Sequence, residues 1–137
     1  MRASVGALIA MLCISACQSR SDVDRENTIA VRDTIHRLND ALVAQAISAA
    51  CAQIALMPLS NSGCERGLKR TARCAGLPLR DLLGTGSVRD VELRGGRAIA
   101  AIDSRRYEVE LVLTDDSMWK VVGFRGSPAF NSCQAGT

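Results

Sequence analysis

The chain has 137 residues, 47% of them hydrophobic and 23% charged, with 17 Lys and Arg against 14 Asp and Glu for a formal charge of +3. That suits one small core and leaves no room for a second independent domain. So even a charge balance argues against nucleic-acid binding by electrostatics alone, and the aromatic set of Tyr107, Trp119, Phe124 and Phe130 is too sparse for a stacking platform.

At the start, Met1-Arg2 precedes an uncharged stretch from position 3 to 16. A membrane-spanning helix needs roughly 20 apolar residues, whereas the apolar part of an export signal needs only about 7 to 15. The stretch ends in Ile14-Ser15-Ala16-Cys17 and passes at once into Gln18-Ser19-Arg20-Ser21-Asp22. This resembles a bacterial lipoprotein signal with its lipobox: a branched apolar residue, two small residues and a cysteine. The resemblance implies cleavage before Cys17, a diacylglyceryl group on its thiol, and attachment to the outer face of a bacterial membrane in the cell envelope. Two acyl chains anchor firmly where a single short chain binds only marginally. The expected organisation is a signal peptide at 1–16, a lipidated N-terminus and short tether at 17–22, one domain at 23–126 and a tail at 127–137.

Beyond the tether, Asp22, Asp24 and Glu26 suit the positive end of a helix, and Val31, Ile35, Leu38 and Leu42 recur with its period. An amphipathic helix is therefore predicted to start at 22–25 and end near Ala44 or Gln45. A second helix is expected at 47–56, stopping before Pro58, which lacks a donor and restricts its predecessor. Ser60-Asn61-Ser62-Gly63 reads as a loop, 64–73 as a third helix despite Gly67, and 79–83 as one further turn. Arg66, Lys69, Arg70 and Arg73 make a basic stripe along the third helix, either a solvated face or a contact for anionic headgroups.

After Gly84-Thr85-Gly86 the period falls to about two. Four strands are predicted at 88–94, 97–103, 105–114 and 118–124, with turns at Gly95-Gly96 and Asp115-Asp116-Ser117. Tyr107, Val109, Leu111 and Leu113 alternate with more polar neighbours, giving one dry face and one wet face. The fold class is α+β: N-terminal helices packed on one face of a curved antiparallel sheet.

Six cysteines divide into Cys13 in the signal, Cys17 at the lipid site, and Cys51, Cys64, Cys74 and Cys133 in the folded part. An even set in an exported domain reads as two disulfides, with three pairings that sequence alone does not separate. Cys51 with Cys64 is favoured because a turn-rich segment joins them, and Cys74 with Cys133 then follows by elimination. No metal site is expected, since there is no Cys-x-x-Cys pair and the single histidine, His36, lies far from the cysteines.

The opening helix with Ile35-His36-Arg37-Leu38-Asn39-Asp40-Ala41-Leu42, the following Ala49-Ala50-Cys51, the Gly63-Cys64-Glu65 pickup and the late Gly-Gly hairpin together resemble the nuclear transport factor 2-like proteins. This cone-shaped α+β group includes ketosteroid isomerase-like and polyketide cyclase-like members. The closing Val112-Leu113-Thr114-Asp115-Asp116-Ser117-Met118-Trp119-Lys120-Val121 is the most suggestive part. The chain looks most like the exported lipoproteins of this group from actinobacteria, in which helix cysteines are usual; Gln45-Ala46 departs from the acidic or glycine turn common between the first two helices. The resemblance implies a pocket between sheet and helices, here involving Tyr107, Val109, Leu111 and Trp119, and a possible homodimer through the sheet.

Catalysis needs a second partner that this sequence does not supply. His36 and Asp40 are an i, i+4 pair, but they point away from the apolar stripe, and Asp103 sits at a strand end where turns favour aspartate. No carboxylate pair converges inward, so no catalytic residue, metal or cofactor is assigned. The expected function is a non-enzymatic, membrane-anchored binding or accessory module for a small apolar ligand or an envelope protein. The alternatives are a pocket enzyme of isomerase or cyclase type centred on Tyr107, and a purely structural interaction module.

Overall fold

The computed structural model describes residues 6–55, 61–84, 86–102 and 107–126, the side chains of 6–18, 61 and 107 excepted. Helix α1 (Gly6–Val43) is far longer than the acidic cluster predicts and runs unbroken through the expected tether. Nothing from Ala7 to Val43 is a proline or glycine, so no residue supplies a break, and Asp22, Asp24 and Glu26 lie inside the helix rather than at its start. Its two halves differ in environment: every side chain from Ser19 to Glu26 is exposed, whereas Val31, Ile35, Leu38 and Leu42 are fully buried. Burying each of these four contributes about 2 kcal/mol.

α1 ends where Gln45 takes a left-handed φ of 55°. The Ala46 amide then reaches the Ala41 carbonyl at 2.8 Å and the Gln45 amide that of Leu42 at 3.1 Å, a Schellman closure. Helix α2 (Ile47–Ala52) follows and is shorter than expected. Its continuation is captured by a strand edge: the Val121 amide donates to the Gln53 carbonyl and the Ala55 amide to the Val121 carbonyl, both at 2.8 Å. Backbone groups used across the fold cannot also extend the helix.

Helix α3 (Asn61–Ala75) begins inside the segment expected to be a loop. Asn61 and Ser62 are residue types that suit a helix N-terminus as well as a turn. Cys64, Leu68, Thr71 and Ala72 form its buried face. It closes as α1 does, with Leu77 bonded to Ala72 and Gly76 to Arg73, each at 3.0 Å, but here the left-handed residue is glycine, Gly76, with φ 67°. A 3-10 turn at Leu79–Asp81 leads to Leu82 and Leu83, both fully buried.

Strands β1 (Val88–Arg94), β2 (Arg97–Ile102), β3 (Tyr107–Leu113) and β4 (Trp119–Arg125) pair antiparallel in the order β1-β2-β3-β4, forming an open sheet with β1 and β4 at its edges. Arg94 pairs with Arg97 across Gly95-Gly96, a two-residue hairpin loop in which Gly95 has φ 60°. At the β3–β4 turn the Thr114 hydroxyl lies against both the Asp116 carboxylate and the Met118 carbonyl, and the first of these contacts lowers the Asp116 pKa. On the inner face Ala98, Ala100, Val109, Leu111, Trp119 and Val121 are buried, so helices and sheet enclose one core and the fold is α+β. The outer face is wet and ion-paired: Arg94 meets Glu92 at 2.7 Å, and Arg97 and Arg125 flank Glu110 at 3.4 and 3.5 Å.

Candidate functional site

Between α3 and the β4 edge lies a groove of about 140 Å³, lined by Ile54, Cys64, Gly67, Leu68, Thr71 and the run Val121, Val122, Gly123 and Phe124. Each wall has a local cause. Ile54 is set by its parallel bridge to Val121. Cys64 is held by the disulfide to Cys51, with Cα atoms 6.0 Å apart, which joins α3 to α2. A glycine on the lining face of α3 leaves the space there empty, since a Cβ on Gly67 would meet nothing within 4 Å. On the strand side, Glu110 pairs with Gly123 but Leu111 with Val121, so Val122 is an inserted bulge residue. Successive strand residues point to opposite faces, so a wall of four consecutive residues means that the groove follows the backbone edge. Among the described residues the lining carries no ionisable group, and the Thr71 hydroxyl is its one polar side chain.

Three of the residues expected to form a pocket lie in the core. Val109 and Leu111 are fully buried and Trp119 is 3% exposed, so these three are core and none lines the groove. Trp119 is held by its indole N–H on Asn27 Oδ1 and by the Thr34 hydroxyl on its carbonyl, both at 3.3 Å. The Tyr107 side chain and Asp103 lie outside the described residues. His36 and Asp40 are exposed, as their position on the helix predicts.

Arg66, Lys69 and Arg73 are exposed and Arg70 is half-buried, with Lys69 paired to Glu65 at 2.6 Å. Cys51 with Cys64 is the bond that the turn-rich segment between them favoured. Cys74 is also disulfide-bonded, while Cys133, its expected partner, lies outside the described residues, as does the Cys17 side chain. Among the described residues no cluster of His, Cys, Asp and Glu could hold a metal ion, and no helix is long and apolar enough to cross a membrane.

Sequence reasoning missed the groove because its two facing walls, on α3 and β4, lie at least fifty positions apart in the chain. The one local signal was Gly67, a costly residue in a helix interior that is justified when something must approach closely. Comparison with protein-family models, with curated proteins and with solved structures finds no match for this chain.

Proposed function

We propose that this protein is a lipid-anchored, extracytoplasmic binding module whose groove between α3 and β4 takes an apolar group, with no chemistry performed on it. The observation that carries the reading is the groove itself: apolar-walled and, among the described residues, lined by no acid, base or nucleophile. Its volume, about 140 Å³, matches a cavity that holds a small hydrocarbon or one apolar side chain. The Ile14-Ser15-Ala16-Cys17 sequence supports the anchor, and the Cys51–Cys64 bond fits an oxidising compartment outside the cytoplasm. Two helices joined by a disulfide, then a four-stranded antiparallel meander, support kinship with the nuclear transport factor 2-like group.

The test is native mass spectrometry of the whole protein released from detergent micelles, beside Gly67→Leu. The substitution places a side chain into empty space and replaces a poor helix former, so the fold should be retained or strengthened. An adduct carried by the wild type and lost in Gly67→Leu is the expected result. A wild type with no adduct, or one equally present in the variant, would remove the groove as a binding site.

A further inference from the structure

We infer that this protein associates with copies of itself through its helices, the acidic outer line of α1 in one copy lying along the basic outer line of α3 in another. On α1, Asp22, Glu26, Asp33 and Asp40 fall within about 40° of one another around the helix, on the side opposite the buried Val31, Ile35, Leu38 and Leu42. All four acids are exposed. On α3, Arg66, Lys69 and Arg73 run opposite the buried Cys64, Leu68, Thr71 and Ala72, and all three are exposed. The two lines match in step: Glu26, Asp33 and Asp40 follow one another at seven positions, as do Arg66 and Arg73, a repeat of two turns and about 10 Å. Neither line is neutralised from within. Among the described residues Arg66, Arg73 and these four carboxylates make no ion pair, Lys69 shares an exposed pair with Glu65, and Arg37, which borders the α1 line, leaves it acidic. Arg70 is half-buried, has a contact of its own and is not counted.

The separation of charge runs through the chain. Between Asp40 and Asp81 stand five bases and one acid, so the excess positive charge lies on and beside α3. Charge of one sign attracts its complement and repels its like, which sets both partner and register. An anionic bilayer would suit α3 but repel α1, whereas a second copy supplies a complement to both lines. Ile29, 53% exposed, sits between Glu26 and Asp33 and adds apolar surface to the contact. Exposed ion pairs are individually weak, so the association is reversible. Neither line contributes a lining residue to the groove, and the outcome here leaves the binding reading above untouched.

The experiment uses the full-length protein in a nonionic detergent, as a mixture of unlabelled and heavy-nitrogen chains, and a carbodiimide that joins a lysine amine to a carboxylate in contact with it. Lys69 and Lys120 are the only lysines, so the expected product is a mixed-isotope cross-link from Lys69 to Glu26, Asp33 or Asp40. Two charge-reversed chains separate docking from faults in folding. Arg66→Glu with Arg73→Glu turns α3 acidic like α1, and Asp33→Arg with Asp40→Arg turns the facing part of α1 basic like α3. Each variant alone should lose about tenfold in cross-linked dimer. An equimolar mixture of the two should regain it, through Lys69 of the second variant and Asp33 or Asp40 of the first. No intermolecular cross-link at Lys69, or a mixture that cross-links no better than either variant, overturns the proposal. Phosphatidylglycerol vesicles that bind the wild type but not Arg66→Glu, Arg73→Glu, with no cross-link between copies, would assign α3 to lipid and overturn it as well.

Discussion

Gly86 has φ 67°, and a Cβ built on it would lie 2.8 Å from Asn39 Cγ and 2.9 Å from Asn39 Cβ. Those atoms belong to a buried side chain near its root, which cannot swing away, so both backbone and sterics require glycine. Gly86→Ala should cost about 3 kcal/mol, from left-handed strain and overpacking together, and thermal unfolding checks it. Asn39→Ala in the same chain should recover part of the loss, since it clears the collision and removes the one buried side-chain atom without a partner among the described residues, Asn39 Oδ1. Gln45 presents the opposite case, a side chain at a left-handed helix end where α3 uses Gly76. Gln45→Gly should stabilise the protein by about 1 kcal/mol, a rise of a few degrees in Tm. Gln45-Ala46 already stood out in the sequence as a departure from the usual turn.

At the scale of elements, the strands were legible nearly to the residue because a two-residue alternation and a Gly-Gly loop are local signals. The wet and dry faces of β3 follow from the same alternation. The ends of α2 and α3 were not legible. α2 stops where Val121, far along the chain, takes its backbone groups, and α3 starts in residues whose types suit a loop equally well. The Cys51–Cys64 bond ties these two short elements together across a separation of 13 residues, worth about 3 kcal/mol in the loop-entropy account. Replacing both cysteines by alanine should lower the urea midpoint by a corresponding amount. It should also loosen the groove, because Cys64 forms part of its wall.

For the whole molecule, the stretch of α1 from Ser19 to Glu26, with every side chain exposed, lies between the Cys17 position and the packed domain. Ten helical residues from Cys17 to Asn27, where α1 first meets the sheet through Trp119, rise about 15 Å. Cys17→Ser should move the protein out of the membrane fraction, and fractionation with wild-type abundance in membranes would sink the anchor.

The sequence by itself determined the apolar stripe of α1, the four strands with their inner and outer faces, the hairpin turns and the favoured Cys51–Cys64 pair. Each of these rests on periodicity, turn chemistry or proximity along the chain, which act over a few residues. Tertiary structure alone decided that the segment after α2 would pair with β4, that Gly86 would face Asn39, that Trp119 would be held in the core by Asn27 and Thr34, and that a groove would open beside Gly67. These depend on which distant surfaces meet when the core closes, and no local pattern encodes that.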